Sequence, residues 1–220
     1  MTKQIEFFCI GNRGRSPFAE LVGRNHLRKI GALDVYDTCS SGVLVDEIKK
    51  GEAPPAKSMA PHVRTGLERN DIYSEVGVSG VEYLLRRVES GEQLSKIELD
   101  ELNKVYGMAI DTFSREELEH REKALRVFGI EGRLKETQDQ TVPRPDVIAA
   151  IGMDRRATDL GRGIYSGVNP QPHIDVFARM AIGNPNALTN TFGKGEKAYL
   201  EVAKFIKERT PFVIDTILRL

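Results

Sequence analysis

Only two of the 220 residues are cysteines, Cys9 and Cys39, far too few for the disulfide framework that holds small secreted domains together. The first residues show no apolar stretch behind basic ones of the kind a secretory signal carries, so a reducing, cytoplasmic setting is expected. No apolar run approaches the roughly 18 residues of a membrane span. Charge of one sign is lacking too, because 32 basic residues balance 32 acidic ones. No whole-molecule field draws the chain to nucleic acid or to an anionic membrane, and any preference for anions has to be local. The four histidines, His26, His62, His120 and His173, share no spacing that suits a metal site, and neither a metal nor a cofactor is expected. There is no internal repeat and no low-complexity tract.

What remains is an ordinary globular composition, 40% hydrophobic and 7% aromatic. The length suits one sizeable core, and a single domain with an insertion fits as well as two domains. Gln4 to Cys9 (QIEFFC) reads as a buried strand, because the glycines of the loop behind it, Gly11 and Gly14, interrupt any helix. Ser16 then suits an N-cap, Pro17 the first helical position and Glu20 the first turn, and Phe18, Leu21, Val22 and Leu27 recur at helical spacing up to Lys29. Val35 to Ser41 reads as a second strand, Gly51 to Ser58 as a surface loop, and Ala60 to Glu68 as a helix.

Between Ser79 and Arg133 the sequence turns dense in Glu, Lys, Arg and Leu, and its apolar spacing predicts three helices. Pro145 to Met153 returns to the continuous apolar run of a strand covered on both faces, and Ile174 to Ala178 is a shorter strand of the same kind. Lys194 to Leu220 is helical, with Pro211 kinking or ending its first part. Strands alternating with helices predict an α/β domain on a mostly parallel sheet.

Chemistry concentrates in residues 9 to 16, CIGNRGRS. In a parallel sheet, ligands gather where a strand ends and a helix begins, because the helix N-terminus presents unpaired N–H groups and a positive partial charge. The loop Ile10, Gly11, Asn12, Arg13 and Gly14 can curl its backbone N–H groups around an anion, and Arg15 adds a two-pronged donor that matches two phosphate oxygens. The same field favours the thiolate of Cys9, and Ser16 can donate a hydrogen bond to it. A phosphate cradle with an attacking sulfur at its floor is suited to phosphoryl transfer through a phosphocysteine. Arg13 would favour a doubly anionic or acidic ligand, or it is a solvent-facing charge.

The stretch CIGNRGRSPFAE resembles the signature of the low-molecular-weight protein tyrosine phosphatases and the related thioredoxin-coupled arsenate reductases. Thr38 to Gly42 (TCSSG), Pro54-Pro55 with the helix after it, and Asp146 to Asp154 (DVIAAIGMD) are similar to further segments of that family. The resemblance covers residues 1 to about 75 and 145 to 220, which leaves residues 76–144 as a helical insertion in a single domain spanning 1–220. It implies a three-layer sandwich of the phosphotyrosine protein phosphatase I-like type, with a four-stranded parallel sheet between helices.

On function, the resemblance implies hydrolysis of a phosphomonoester, of phosphotyrosine type on a protein. Cys9 would be the nucleophile, Arg15 the phosphate clamp and Ser16 a thiolate partner, while Asn12 and Ser40 would hold the loop in shape. Inorganic phosphate or a similar oxyanion would occupy the loop. The family's general acid is the aspartate of an Asp-Pro pair, and Asn184-Pro185 stands at the corresponding place. Asp175, and further off Asp154, are the carboxylates considered for that role; for Asp175 the reading as a solvated residue at a strand end ranks ahead of the acid. A non-catalytic phosphate or phosphoprotein binder is the alternative. An arsenate reductase ranks below both, since it needs relay cysteines and none follows Cys39. The insertion would cover the site's mouth or form a homodimer through its leucine stripes.

Overall fold

The computed structural model describes residues 2–50, 55–69, 72–73, 77–135 and 137–220. Its first strand, β1 (Lys3–Cys9), divides its side chains between two faces with the period of two that a strand imposes. Ile5, Phe7 and Cys9 enter the larger core, while Phe8 enters a second one. A strand apolar on both faces needs cover on both. Helices α1 (Arg15–Lys29), α7 (Phe177–Ile182) and α8 (Gly195–Ile217) supply it on the first face, through Phe18, Leu21, Phe177, Ile206 and Ile214. On the second, α6 (Arg155–Ile164) brings Ala157, and the residue after the helix, Tyr165, packs beside it.

Strands β2 (Tyr36–Gly42), β3 (Val147–Gly152) and β4 (His173–Val176) complete a four-stranded, wholly parallel sheet in the order β2-β1-β3-β4. The chain thus has the α/β class that its alternating strands and helices predict and the four-stranded parallel sheet that the family resemblance implies. The strand order reverses between β1 and β3, and in such sheets the crevice at the carboxyl ends of those two strands is where ligands bind. Cys9 ends one of them and Asp154 lies two residues beyond the other.

Between β2 and β3 lie α2 (Val45–Lys50), α3 (Ala56–Leu67), α4 (Val78–Glu89) and α5 (Lys96–Phe128). Where the spacing predicts three helices there are two, because α5 runs unbroken for 33 residues, about 50 Å at 1.5 Å per residue. Both of its ends are well specified. Ser95 and Glu98 form a reciprocal capping box, and Gly129 ends the helix in the left-handed conformation, φ 60°. The first half of α5 packs Leu102, Val105 and Phe113 against α3 and α4 in a separate core; Ala124 and Leu125 join the main one. The helix is therefore a strut between two cores.

Other expectations are corrected. Helix α1 starts at Arg15 behind Gly14, not behind Ser16, because the Ser16 hydroxyl is turned to the Cys9 sulfur instead of capping the helix. Helix α3 starts at Ala56, inside the expected surface loop; residues 51–54 of that loop, including Pro54, and residue 76 at the expected edge of the insertion lie outside the described residues. Phe177 and Ala178 belong to α7, not to the fourth strand. Pro211 lies within α8 without ending it. An internal proline costs about 3 kcal/mol or more, but Val213, Ile214 and Ile217 beyond it are buried, and at roughly 1.5–3 kcal/mol each their burial outweighs that loss.

Candidate active site

The loop from Ile10 to Gly14 is pinned on its outer side by the N–H groups of Val43 and Leu44, which donate to the carbonyls of Cys9 and Ile10. This turns the backbone inward over the sulfur. Asn12 takes a left-handed conformation, φ 49°, which asparagine tolerates better than most residues. Its N–H donates to Cys9 Sγ at 3.2 Å, and the Ser16 hydroxyl approaches the same sulfur at 3.1 Å. That hydroxyl also faces Asn12 Oδ1 at 3.1 Å and the Ser41 carbonyl at 3.3 Å; with one hydrogen to give, it turns to whichever acceptor carries most charge, and a thiolate carries the most.

Beneath the loop, Asn12 Nδ2 donates to the Ser40 carbonyl and Ser40 Oγ donates to Glu20 Oε2. Burial pushes the Glu20 carboxyl above its ordinary range, partly offset by the Ser40 hydrogen bond. The Asn12 side chain thus links the loop to Ser40 on the neighbouring strand.

Arg15 is almost fully buried, and its Nη2 donates to Asp154 Oδ2 at 2.8 Å. Asp154 Oδ1 accepts from the Ala157 N–H and so caps α6. The carboxylate just beyond β3 therefore orients the guanidinium at the start of α1. Arg15 Nη1 is buried with no hydrogen-bond partner, a donor without an acceptor in a site where an unmade hydrogen bond costs about 1–3 kcal/mol. An oxyanion in the loop would supply the acceptor.

Cys9, Ile10, Gly11, Arg13, Gly14 and Arg15 line a cleft of about 520 Å³. Asp154, Arg155 and Arg156 line it as well, as do Pro185, Asn186 and Leu188. The cleft is completed by residues that the sequence reading did not single out for the site. From the insertion come Tyr106, Ile110, Ser114 and Glu117; His62 and Phe192 join them. The rings of His62 and Tyr106 stand 5.9 Å apart and those of His62 and Phe192 5.7 Å apart, a continuous aromatic wall. Arg121 of α5 ties the insertion to the loop by donating to the Arg13 carbonyl at 2.7 Å.

Glu117 is the most unusual of these groups. It is 8% exposed, and burial pushes its carboxyl up to about 6 although Arg15, Arg13 and Arg121 pull the other way. Its signal was present in the sequence: Ala109, Phe113, Glu117, Arg121 and Leu125 recur at intervals of four on one buried face of α5. A carboxylate at a core position of an amphipathic helix is the anomaly that marks it.

Of the two carboxylates considered as the acid, Asp154 lines the cleft and Asp175 stands elsewhere. Asp175 on β4 accepts from the Val176 N–H and from Arg179 Nε, and it is not among the residues lining the cleft. Asn184 is exposed and its Oδ1 accepts from the Asn186 N–H, although Pro185 and Asn186 beside it do reach the cleft. Cys39 lies on β2 with its thiol pushed up to about 12 by burial, an inert sulfur. Among the described residues no group of His, Cys, Asp and Glu could hold a metal ion, and no helix is long and apolar enough to cross a membrane.

No protein-family model matches the sequence, and no curated protein does. Solved structures match along the whole chain. A low-molecular-weight phosphotyrosine phosphatase of Vibrio cholerae O395 aligns with a TM-score of 0.56 at 13% identity, over 97% of this chain and 95% of that one. The YwlE arginine phosphatase of Geobacillus stearothermophilus aligns at 0.51 and 12%, over 99% and 94%. Wzb of Vibrio vulnificus, solved with benzylphosphonate, aligns at 0.50 and 10%, over the full length of both chains. At these identities the likeness is one of fold: the chain has the four-stranded parallel α/β fold of the low-molecular-weight phosphotyrosine phosphatases.

Proposed function

We propose that the protein hydrolyses an aryl phosphomonoester, of phosphotyrosine type on a protein, through a phosphocysteine on Cys9. The observation that carries this reading is the pairing of Cys9 Sγ, held by the Asn12 N–H and the Ser16 hydroxyl, with the unpartnered Nη1 of Arg15 in one cleft. Sulfur attacks phosphorus, the S–P bond forms, and the bond to the leaving oxygen breaks. The loop N–H groups and Arg15 stabilise the charge on the three oxygens that stay behind. Water then attacks the phosphocysteine and releases phosphate.

The wall of His62, Tyr106 and Phe192 gives an aromatic ring somewhere to lie. The side chains of Arg13, Arg155 and Arg156 around the mouth favour a doubly charged phosphate with acidic groups near it. Wzb, whose fold this chain shares, was solved with benzylphosphonate, an aryl-bearing oxyanion of the same class.

A phosphate-binding protein without turnover is the second reading, and Asn184 in place of the expected aspartate is what favours it. Hydrolysis of a nitrophenyl phosphate by the wild type and by Cys9→Ser separates the two. Turnover that disappears with Cys9 is the expected result; no Cys9-dependent turnover between about pH 5 and 8 would leave only the binder. A phosphotyrosine peptide is expected to outpace a phosphoarginine peptide, because only the former has a ring for the wall.

A further inference from the structure

The cleft holds a nucleophile and a phosphate clamp, but neither Asn184 nor the remote, ion-paired Asp175 can give a proton to a leaving oxygen there. Asp154 has both oxygens engaged, one on Arg15 and one on the end of α6. One carboxyl lining the cleft is left. Glu117 Oε1 is packed so closely on the loop that a Cβ added to Gly14 would fall 2.3 Å from it. Its carboxyl has no hydrogen-bond partner among the described residues, so its proton is not committed elsewhere.

We propose that Glu117, carried to the phosphate loop by the inserted helix α5, is the general acid and base of this reaction, in the place of the missing Asp-Pro aspartate. The proposal rests on the phosphocysteine reading. In the first step the Glu117 proton passes to the leaving oxygen as the P–O bond breaks and the S–P bond forms, which releases a neutral alcohol and leaves a carboxylate. In the second step that carboxylate takes a proton from water as the water oxygen bonds to phosphorus and the S–P bond breaks. Phosphate leaves, and thiolate and carboxylic acid are both restored.

The surroundings suit a carboxyl that changes charge. It faces Arg13 and Arg15 from the loop and α1, Arg121 from its own helix, and the buried, unpartnered Tyr199 hydroxyl from α8. Cys9, Asp154 and His62 share the cleft. Burial raises the Glu117 carboxyl to about 6, and a bound phosphoryl dianion raises it further by repulsion. An ionised Glu117 opposes the incoming phosphate; a protonated one admits it and holds the proton needed next. The geometry also accounts for Gly14, since any larger residue there would displace the carboxyl.

The test uses the full chain and a series of phosphate esters, from dinitrophenyl through phenyl to alkyl, with the wild type, Glu117→Gln and Glu117→Asp. Glu117→Gln is expected to lose about 10²- to 10⁴-fold in kcat on the poorest leaving group, at least about tenfold more than on the best. Glu117→Asp should recover part of that loss. The wild type should lose activity as pH rises above about 6, and Glu117→Gln should not show that limb.

Competitive inhibition by sulfate, whose charge is constant over this range, gives a readout independent of turnover. It should strengthen as pH falls through about 6 in the wild type but not in Glu117→Gln. A Glu117→Gln loss equal on all leaving groups, or an unaltered pH limb, overturns the assignment while phosphocysteine formation stands. A leaving-group-dependent loss in Asp175→Asn instead gives the acid to β4. Failure of any substrate to phosphorylate Cys9 overturns both this inference and the function it rests on.

Discussion

Replacing Gly14 by alanine probes the contact between the insertion and the phosphate loop. The backbone there has φ −111°, outside the left-handed region, so it does not demand glycine; the space does. A Cβ at this position would stand 2.3 Å from Oε1, 2.7 Å from Cδ and 3.0 Å from Cγ of Glu117. Overpacking of this kind costs about 1–3 kcal/mol, and because the obstructing atoms are the end of a side chain with a cleft to swing into, about 1–2 kcal/mol is expected. In a Glu117→Ala background those atoms are gone. The same Gly14→Ala change should then stabilise by about 0.4–1 kcal/mol, by restricting the unfolded chain.

The two changes should therefore couple by about 1.5–3 kcal/mol in a double-mutant cycle. The assay is denaturant unfolding of the four proteins near pH 5, below the point of about 6 at which Glu117 ionises, so that charge does not enter the comparison. Additivity within about 0.5 kcal/mol would refute the packing of Glu117 on Gly14.

Two further outcomes follow from the same geometry. The Glu117 carboxyl is raised from 4.5 to about 6 on folding, so its contribution is fully present below pH 4.5 and is lost as pH rises through 6; the stability of the wild type relative to Glu117→Gln should fall over that window by about 2 kcal/mol at most, at 1.36 kcal/mol per pKa unit. Taking the difference removes Glu6 and Glu20, which burial also raises. Asp154→Asn keeps a capping oxygen for the Ala157 N–H while Asp154→Ala does not, so unfolding should show Ala about 1 kcal/mol less stable than Asn; both lose the anionic partner of Arg15, and kcat/KM should fall at least about tenfold in each.

The middle of the sheet was legible because β1 and β3 are buried on both faces: QIEFFC and PDVIAAIGM have no alternative to double cover, and a glycine loop followed by Ser-Pro marks a strand-to-helix turn. The contact of Ser16 with the Cys9 sulfur was legible in the same stretch, since the spacing alone brings both to the two ends of one loop. What was not legible depended on tertiary contact. Nothing local joins the predicted second and third insertion helices into one, and the half-buried Gly107 weakens a helix without ending it. Glu117 belongs to the cleft only because α5 crosses between two cores. The partnership of Asp154 with Arg15 joins residues 139 apart in sequence, and only the sheet order brings them together.

The central claim is that Cys9 carries the phosphoryl group. Rapid quenching of the protein with an aryl phosphate, followed by mass spectrometry of its peptides, tests this directly. The expected result is a phosphoryl mass on the peptide holding Cys9 within the first turnover, absent in Cys9→Ala. Turnover with no labelled protein, or a label on any other residue, would contradict it.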